Sequence, residues 1–276
     1  MTKLGVFVVP DATDPEATVE QIVAADRAGL DLAGVQDHPY QRRFFDTWTL
    51  LSYVAARTER ITLLPDVINL PLRQPAVLAK SAASLDVLTG GRVELGLGAG
   101  AFWEGVEAMG RPRRTPGESV EALEEAMRIM RAFLDMEPSV RLDGKHYRAA
   151  GAKPGPPPAH RIGLWVGAYG PRMLRLTGRL GDGWLPSVGG SYLAAEDVPE
   201  RQRTIDEAAR RAGRDPGDIV RAANVGLGGS ADWLDADRIA DFAGRLRLDA
   251  LLVSTPDEHP LGYIAALGET AAALRA

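Results

Sequence analysis

The feature that most constrains this chain is an alternation repeated eight times, a short run rich in Val, Ile, Leu and Gly followed by a longer stretch with helical apolar spacing. Strand patterns fall at Leu4–Val9, Leu32–Val35, Ile61–Val67, Val93–Leu97, Ile162–Val166, Gly183–Leu185, Ile219–Val225 and Ala250–Val253. Helix patterns follow them in turn, at Pro15–Ala28, Thr47–Arg57, Pro75–Leu88, Ser119–Leu134, Pro171–Arg179, Pro199–Ala212, Leu234–Arg247 and Pro260–Arg275. Strands alternating with helices build parallel sheets, because a parallel crossover needs a connection long enough to return over the sheet face. Eight such units in 276 residues suit a closed barrel, whose usual length is about 250 residues. The expected fold class is therefore α/β, one (β/α)8 TIM barrel forming a single domain over residues 1–276.

Several helix ends carry physical signals. Asp14-Pro15 offers a capping oxygen and a proline at the first helical position, and Gly29 offers a left-handed stop. Pro75 and Gly90 bracket the third helix in the same way, with Val77, Leu78, Ser81 and Leu85 on one stripe. Two connections are long for barrel loops. Residues Ala99–Gly117 are expected to form an exposed or mobile cover over the barrel mouth, and Val140–Arg161, with its Lys153–Pro158 proline run, a stiff linker.

Composition narrows the function classes. A net charge of -5 supplies no basic field for nucleic acid or anionic lipid, and the absence of cysteine removes disulfides, thiolate nucleophiles and iron–sulfur ligation. No apolar stretch approaches the ~18 residues a spanning helix needs, and Met1-Thr2-Lys3 leads straight into a strand rather than a signal peptide. The expectation is a cytoplasmic protein without membrane or nucleic-acid partners, and the scattered His146, His160 and His259 suggest no metal site.

Barrel enzymes place their chemistry at the C-terminal ends of the strands. Gln36-Asp37-His38-Pro39-Tyr40 follows the second strand, Asp66-Val67-Ile68-Asn69 lies at the end of the third, Gly98-Ala99-Gly100 ends the fourth and Gly167-Ala168-Tyr169-Gly170-Pro171-Arg172 follows the fifth. His38 is the catalytic candidate, since an imidazole titrates near neutrality; the alternative is a loop-shaping hydrogen bond to Asp37. The glycines of the fourth strand would let a flat ligand lie against backbone, or would merely relieve crowding. They also satisfy a loose dinucleotide fingerprint, which is rejected because Pro112 and Thr115-Pro116-Gly117 delay the next helix to about Ser119. The Gly167–Arg172 turn offers free N–H groups at a helix start, suited to a phosphate, or is an ordinary βα turn.

Taken in order, these segments resemble the bacterial luciferase-like superfamily of flavin- and F420-dependent oxidoreductases. The resemblance is carried by Ala28-Gly29-Leu30-Asp31, Asp37-His38, Thr58-Glu59-Arg60-Ile61, Gln74–Lys80, Leu88–Gly100, Gly144-Lys145-His146-Tyr147 and Gly181-Asp182-Gly183-Trp184. It implies a barrel holding a flavin or deazaflavin ring at the mouth, a cis peptide at Asp66-Val67 behind that ring, and the cofactor phosphate at Gly167–Arg172. Asp37, His38, Asp66, Val67, Gly98, Ala99, Gly100, Gly167, Ala168, Tyr169, Gly170 and Arg172 are the cofactor-binding candidates. Ala101, Arg42 and Ser187–Gly190 depart from the sugar-phosphate dehydrogenases of the superfamily, so no sugar-phosphate substrate is assigned.

The resulting expectation is an oxidoreductase passing hydride between F420 and a small organic substrate, with His38 moving or polarising a proton. Arg42-Arg43 would meet an anionic cofactor tail. The alternative is a two-component monooxygenase using reduced FMN and oxygen. A homodimer and a separate reductase supplying reduced cofactor are the expected partners.

Overall fold

The structure, a computed structural model, describes residues 1–227 and 231–276. Its strands are β1 (Lys3–Val8), β2 (Leu32–Val35), β3 (Thr62–Pro65), β4 (Ile68–Asn69), β5 (Leu95–Gly98), β6 (Val140–Asp143), β7 (Arg148–Ala152), β8 (Leu164–Val166), β9 (Gly183–Trp184), β10 (Val220–Val225) and β11 (Ala250–Ser254). Its helices are α1 (Pro15–Arg27), α2 (Thr47–Ala55), α3 (Pro75–Thr89), α4 (Trp103–Ala108), α5 (Pro116–Leu134), α6 (Pro171–Leu180), α7 (Val198–Arg211), α8 (Ala236–Leu246) and α9 (Pro260–Arg275).

The main sheet runs β3-β2-β1-β11-β10-β9-β8-β5-β4 with every pairing parallel. It closes on itself, because β3 also bridges the start of the β5 stave through Leu63 and Val93. The expected third strand, Ile61–Val67, is thus two pieces of one stave, interrupted at the Asp66–Val67 peptide, which is cis. Eight staves result, as the alternation required.

Side chains alternate along each stave. Phe7, Leu32, Leu64, Trp165, Leu185 and Leu252 fill the barrel interior, while their neighbours Val6, Leu63 and Leu251 pack outward against the helices. The interior is tight enough to need glycine at particular points. A Cβ on Gly183 would lie 2.6 Å from the Trp165 ring, and one on Gly96 only 2.2 Å from the Pro65 carbonyl oxygen.

Charged groups at the N-terminal end of the barrel serve the scaffold. Asp26 accepts the N–H groups of Glu59, Arg60 and Ile61 at 2.9, 2.9 and 2.8 Å. Asp182 pairs with Arg131 and Arg161 and accepts the Leu164 N–H. Arg92 donates to the carbonyls of Ala55, Thr58 and Ile61. These contacts satisfy backbone groups that strand starts would otherwise leave unpaired.

Two expectations about connections change. The stretch after β5 is not bare loop: α4 forms there, tied down by Arg113 to Glu104 and Glu107 at 2.7 and 3.0 Å. The following helix starts at Pro116 rather than Ser119, because Thr115 and Glu118 form a reciprocal capping box. The segment before β8 contains the antiparallel hairpin β6–β7, and the proline run beyond it, with a cis Gly155–Pro156 bond, is pinned where Lys80 reaches the Gly155 carbonyl at 2.8 Å.

Replacing Gly96 by Ala should cost about 1–3 kcal/mol, since the new Cβ meets backbone that cannot yield. Gly244→Ala is the control. It lies inside α8 with open space at its Cβ position, so alanine should add about 0.5–1 kcal/mol. Urea midpoints of both variants check the pair.

Candidate functional site

At the C-terminal end of the staves lies a cavity of about 730 Å³. Asp37, His38, Asp66, Val67, Gly98, Ala99, Gly100, Gly167, Tyr169, Gly170 and Arg172 all line it. Ala168 does not. It is buried behind the wall, where its carbonyl accepts the Trp184 indole N–H at 2.9 Å. Arg42 and Arg43 also lie outside the lining; Arg43 faces Asp11 at 3.7 Å.

Val67 forms the platform of the cavity. Its methyl groups sit where a Cβ on Gly98 or Gly167 would come within 2.8 or 3.3 Å, so β5 and β8 must carry glycine for Val67 to project between them. The glycines therefore serve close approach, and what they admit is the Val67 side chain. A flat ring laid on that platform meets backbone at Gly98, Ala99 and Gly100 on one side.

The β2 corner is fixed by a buried carboxylate. Asp37 is 2 % exposed, accepts the Asn69 N–H at 2.8 Å and pairs with Arg73 at 3.0 Å. Arg73 also reaches Asp46, the residue capping α2, at 2.7 Å. His38 consequently takes a partner other than the expected Asp37. Its Nδ1 lies 2.5 Å from the Tyr40 hydroxyl, and its ring meets Tyr40 and Phe102 edge-on at 5.4 and 5.3 Å between centroids. Burial lowers the His38 pKa, opposed by the nearby Asp37 charge, so the imidazole is neutral at physiological pH. Burial pushes Tyr40 up to about 12, with Asp37 adding to the shift and a hydrogen bond from the Asn69 side chain opposing it.

Tyr40 rests on α4, its ring covering Gly105, where a Cβ would be 2.5 Å from the Tyr40 Cγ. Phe102 and Trp103, at the start of α4, complete that wall. On the opposite side, α6 begins at Gly170 with no side chain capping its N–H groups, and Arg172 in its first turn lines the cavity. Tyr169 is steadied by accepting the Ser187 N–H at 2.9 Å.

Asp66 lies on the cavity floor, 5 % exposed. One carboxyl oxygen accepts from Asn224 on β10 at 2.9 Å, and the other has no partner. Burial raises its pKa to about 7 against the lowering effect of the Asn224 bond. The site thus offers an apolar platform, an uncapped helix start with an arginine, a neutral imidazole, and a buried carboxyl that changes charge near neutrality. This set fits a flat, phosphate-bearing redox cofactor of the flavin or deazaflavin type.

The luciferase-like monooxygenase family matches residues 2–227. The chain belongs to this family. Among its relatives, an F420-dependent glucose-6-phosphate dehydrogenase of Intrasporangium calvum is 33% identical over 82% of this chain and 70% of its own length. A 5,10-methylenetetrahydromethanopterin reductase of Archaeoglobus fulgidus is 32% identical over 82% of this chain and 64% of its own. An F420-dependent secondary alcohol dehydrogenase, in complex with an F420-acetone adduct, superposes with a TM-score of 0.86 at 18% identity, covering 100% of this chain and 99% of that one. That likeness establishes the shared luciferase-like barrel.

Sequence reasoning reached the strand ends but not all that meets them. Asn69 stood at an expected strand end without a role, and Phe102, Trp103 and Asn224 line the cavity without having been singled out. A signal existed only for Asn69, two residues beyond Val67 in the same strand-end segment; Asn224 stands 158 residues from its partner.

Asp66 gives a pH test. Its folded pKa lies above the ordinary carboxylate value, so the stability it contributes is present below about 3.8 and is lost as pH rises through about 7. Asp66→Asn should therefore gain in thermal midpoint relative to the unmodified protein between about pH 5 and about pH 8. Parallel profiles would refute the buried charge.

Proposed function

We propose that this enzyme is an F420-dependent oxidoreductase moving hydride between the deazaflavin and a small organic substrate, with His38 holding the proton that accompanies it. The observation that carries this reading is the position of His38. It lies at the end of β2, in the same cavity as the Val67 platform and the uncapped start of α6. The F420-dependent relatives support the choice of cofactor.

Bound there, the deazaflavin supplies or accepts hydride at its central ring. Val67 and the glycine-bordered wall would hold the ring, and the N–H groups after Gly170, with Arg172, would take the phosphate. Phe102 packs edge-on against the His38 ring, and Trp103 lines the same cavity. His38, neutral and desolvated, hydrogen-bonds the substrate oxygen at the reacting end.

The second reading, an FMN-dependent monooxygenase, keeps its place because a solved monooxygenase from Streptomyces bottropensis has the same fold, with a TM-score of 0.80 at 19% identity. Nothing in the platform distinguishes a flavin from a deazaflavin. Among the described residues no helix is long and apolar enough to cross a membrane. A cytoplasmic location is a separate part of the proposal. A separate reductase would supply the reduced cofactor. The exposed Tyr53, Val77 and Leu88 on α2 and α3 suit a homodimer contact.

Titration of the protein with F420 and with FMN under equal conditions tests the proposal: tighter binding of F420 supports it, and a clear preference for FMN replaces it with the monooxygenase. Gly170→Glu should weaken F420 binding by about tenfold while leaving the fold intact, because Gly170 has extended φ and ψ and open space around it. His38→Ala should lower turnover by ~100-fold or more with little change in cofactor affinity, as loss of an acid–base group does.

A further inference from the structure

Phe102 stands where a phenylalanine gains little from the fold. It is 63% exposed, and its backbone is left-handed with a φ of 51°. That region crowds the Cβ of a bulky residue, so a phenylalanine there is an outlier held for some other reason. Its ring touches His38, edge-on at 5.3 Å between centroids, and lines the mouth cavity of about 730 Å³. Tyr192, in the segment after β9, lines the same cavity and is 53% exposed. Large aromatic surface left open around a cavity is surface that an apolar ligand covers.

The charges of the cavity narrow that ligand further. Among the described residues that line it, Arg172 is the one cation, and the oxidoreductase reading commits it to the cofactor phosphate. Of the two carboxyl groups in the lining, Asp37 is paired with Arg73, and Asp66 lies on the floor beside Val67. Glu104 and Glu107 of α4 are tied to Arg113 and do not line the cavity. A phosphate or carboxylate on the substrate would therefore be desolvated without a partner.

We propose that Phe102 is a specificity-determining residue and that, with Tyr192, it receives an uncharged substrate with a flat apolar body, an aryl or polycyclic carbonyl compound or the corresponding alcohol. Resting on the oxidoreductase reading, this deepens it by naming the substrate class. In the reducing direction the carbonyl carbon takes the hydride and its oxygen the proton, giving the alcohol; the reverse returns both. A flat body laid on the exposed rings removes apolar surface from water on both partners and adds offset or edge-on ring contacts. Because the left-handed start of α4 sets Phe102 beside His38, a body that covers Phe102 brings its oxygen to the imidazole.

The test is equilibrium titration of the full chain with methyl naphthyl ketone, a flat uncharged probe, and with glucose-6-phosphate, a charged one. Each titration is run with and without saturating oxidised F420, which leaves the ketone unreacted. With F420 present, the unmodified protein should bind the ketone and not the sugar phosphate. Phe102→Gly removes the ring and suits the left-handed backbone, so ketone binding should weaken about tenfold while the thermal midpoint holds or rises and F420 affinity is unchanged. Tyr192→Ser should weaken ketone binding as well. Ketone binding unaltered in Phe102→Gly overturns the proposal, as does sugar phosphate bound more tightly than the ketone. The two readings separate cleanly: Phe102-dependent ketone binding in a protein without affinity for F420 retires the cofactor and leaves the substrate class standing, whereas F420 bound without Phe102-dependent ketone binding retires the substrate class alone.

Discussion

The site depends on a carboxylate that cannot reach water. Asp37 is buried at the end of β2, and a buried charge is tolerated only when it is paired and hydrogen-bonded. Arg73 and the Asn69 N–H meet that requirement, and through Arg73 the carboxylate is tied to Asp46 at the head of α2. One residue thus joins the ends of two neighbouring staves to the helix between them. His38 and Tyr40 follow directly in the chain, so their geometry inherits that anchoring. Losing Arg73 would leave the buried Asp37 charge unpaired, at a cost of about 3–5 kcal/mol, whereas Arg73 without Asp37 would keep Asp46.

The two ends of the barrel divide the labour. Of the segments through which the chain resembles its superfamily, Asp31, Thr58–Ile61 and Asp182 lie at the base. There Asp31 and Asp182 accept the Leu4 and Leu164 N–H groups, Glu59 and Ile61 donate theirs to Asp26, and the Thr58 and Ile61 carbonyls receive Arg92. The mouth contributes Asp37-His38 and the glycines of β5. Base segments specify that the barrel forms, and mouth segments specify what it can hold. This explains why the family is plain from the chain while the substrate is not: Ala101 and Ser187, where the sequence departs from sugar-phosphate dehydrogenases, both face or adjoin the cavity.

The eight staves and the lining residues on their ends were legible because burial imposes period two on strands and a stripe on helices. The hairpin β6–β7 was not, since its short strands carry only a brief alternation between a glycine turn and a proline run. Helix α4 gave no periodic signal either, being six residues long with Phe102 in a left-handed conformation at its start. The Thr115–Glu118 box was readable and shows that Pro116 begins a helix rather than delaying one. Contacts between distant positions were beyond reach. No local rule pairs Asp66 with Asn224, or tells that His38 turns to Tyr40 because Asp37 is already committed to Arg73 and Asn69.

The proposed reading has F420 exchanging hydride with a small organic substrate at this barrel mouth, with His38 handling the accompanying proton. Anaerobic stopped-flow of reduced F420, mixed with the enzyme and a panel of small ketones and aldehydes, addresses it directly. Oxidation of the cofactor should require a carbonyl acceptor, proceed without oxygen and be largely lost in His38→Ala. Oxidation that occurs only when oxygen is admitted, or only with reduced FMN in place of F420, would contradict it.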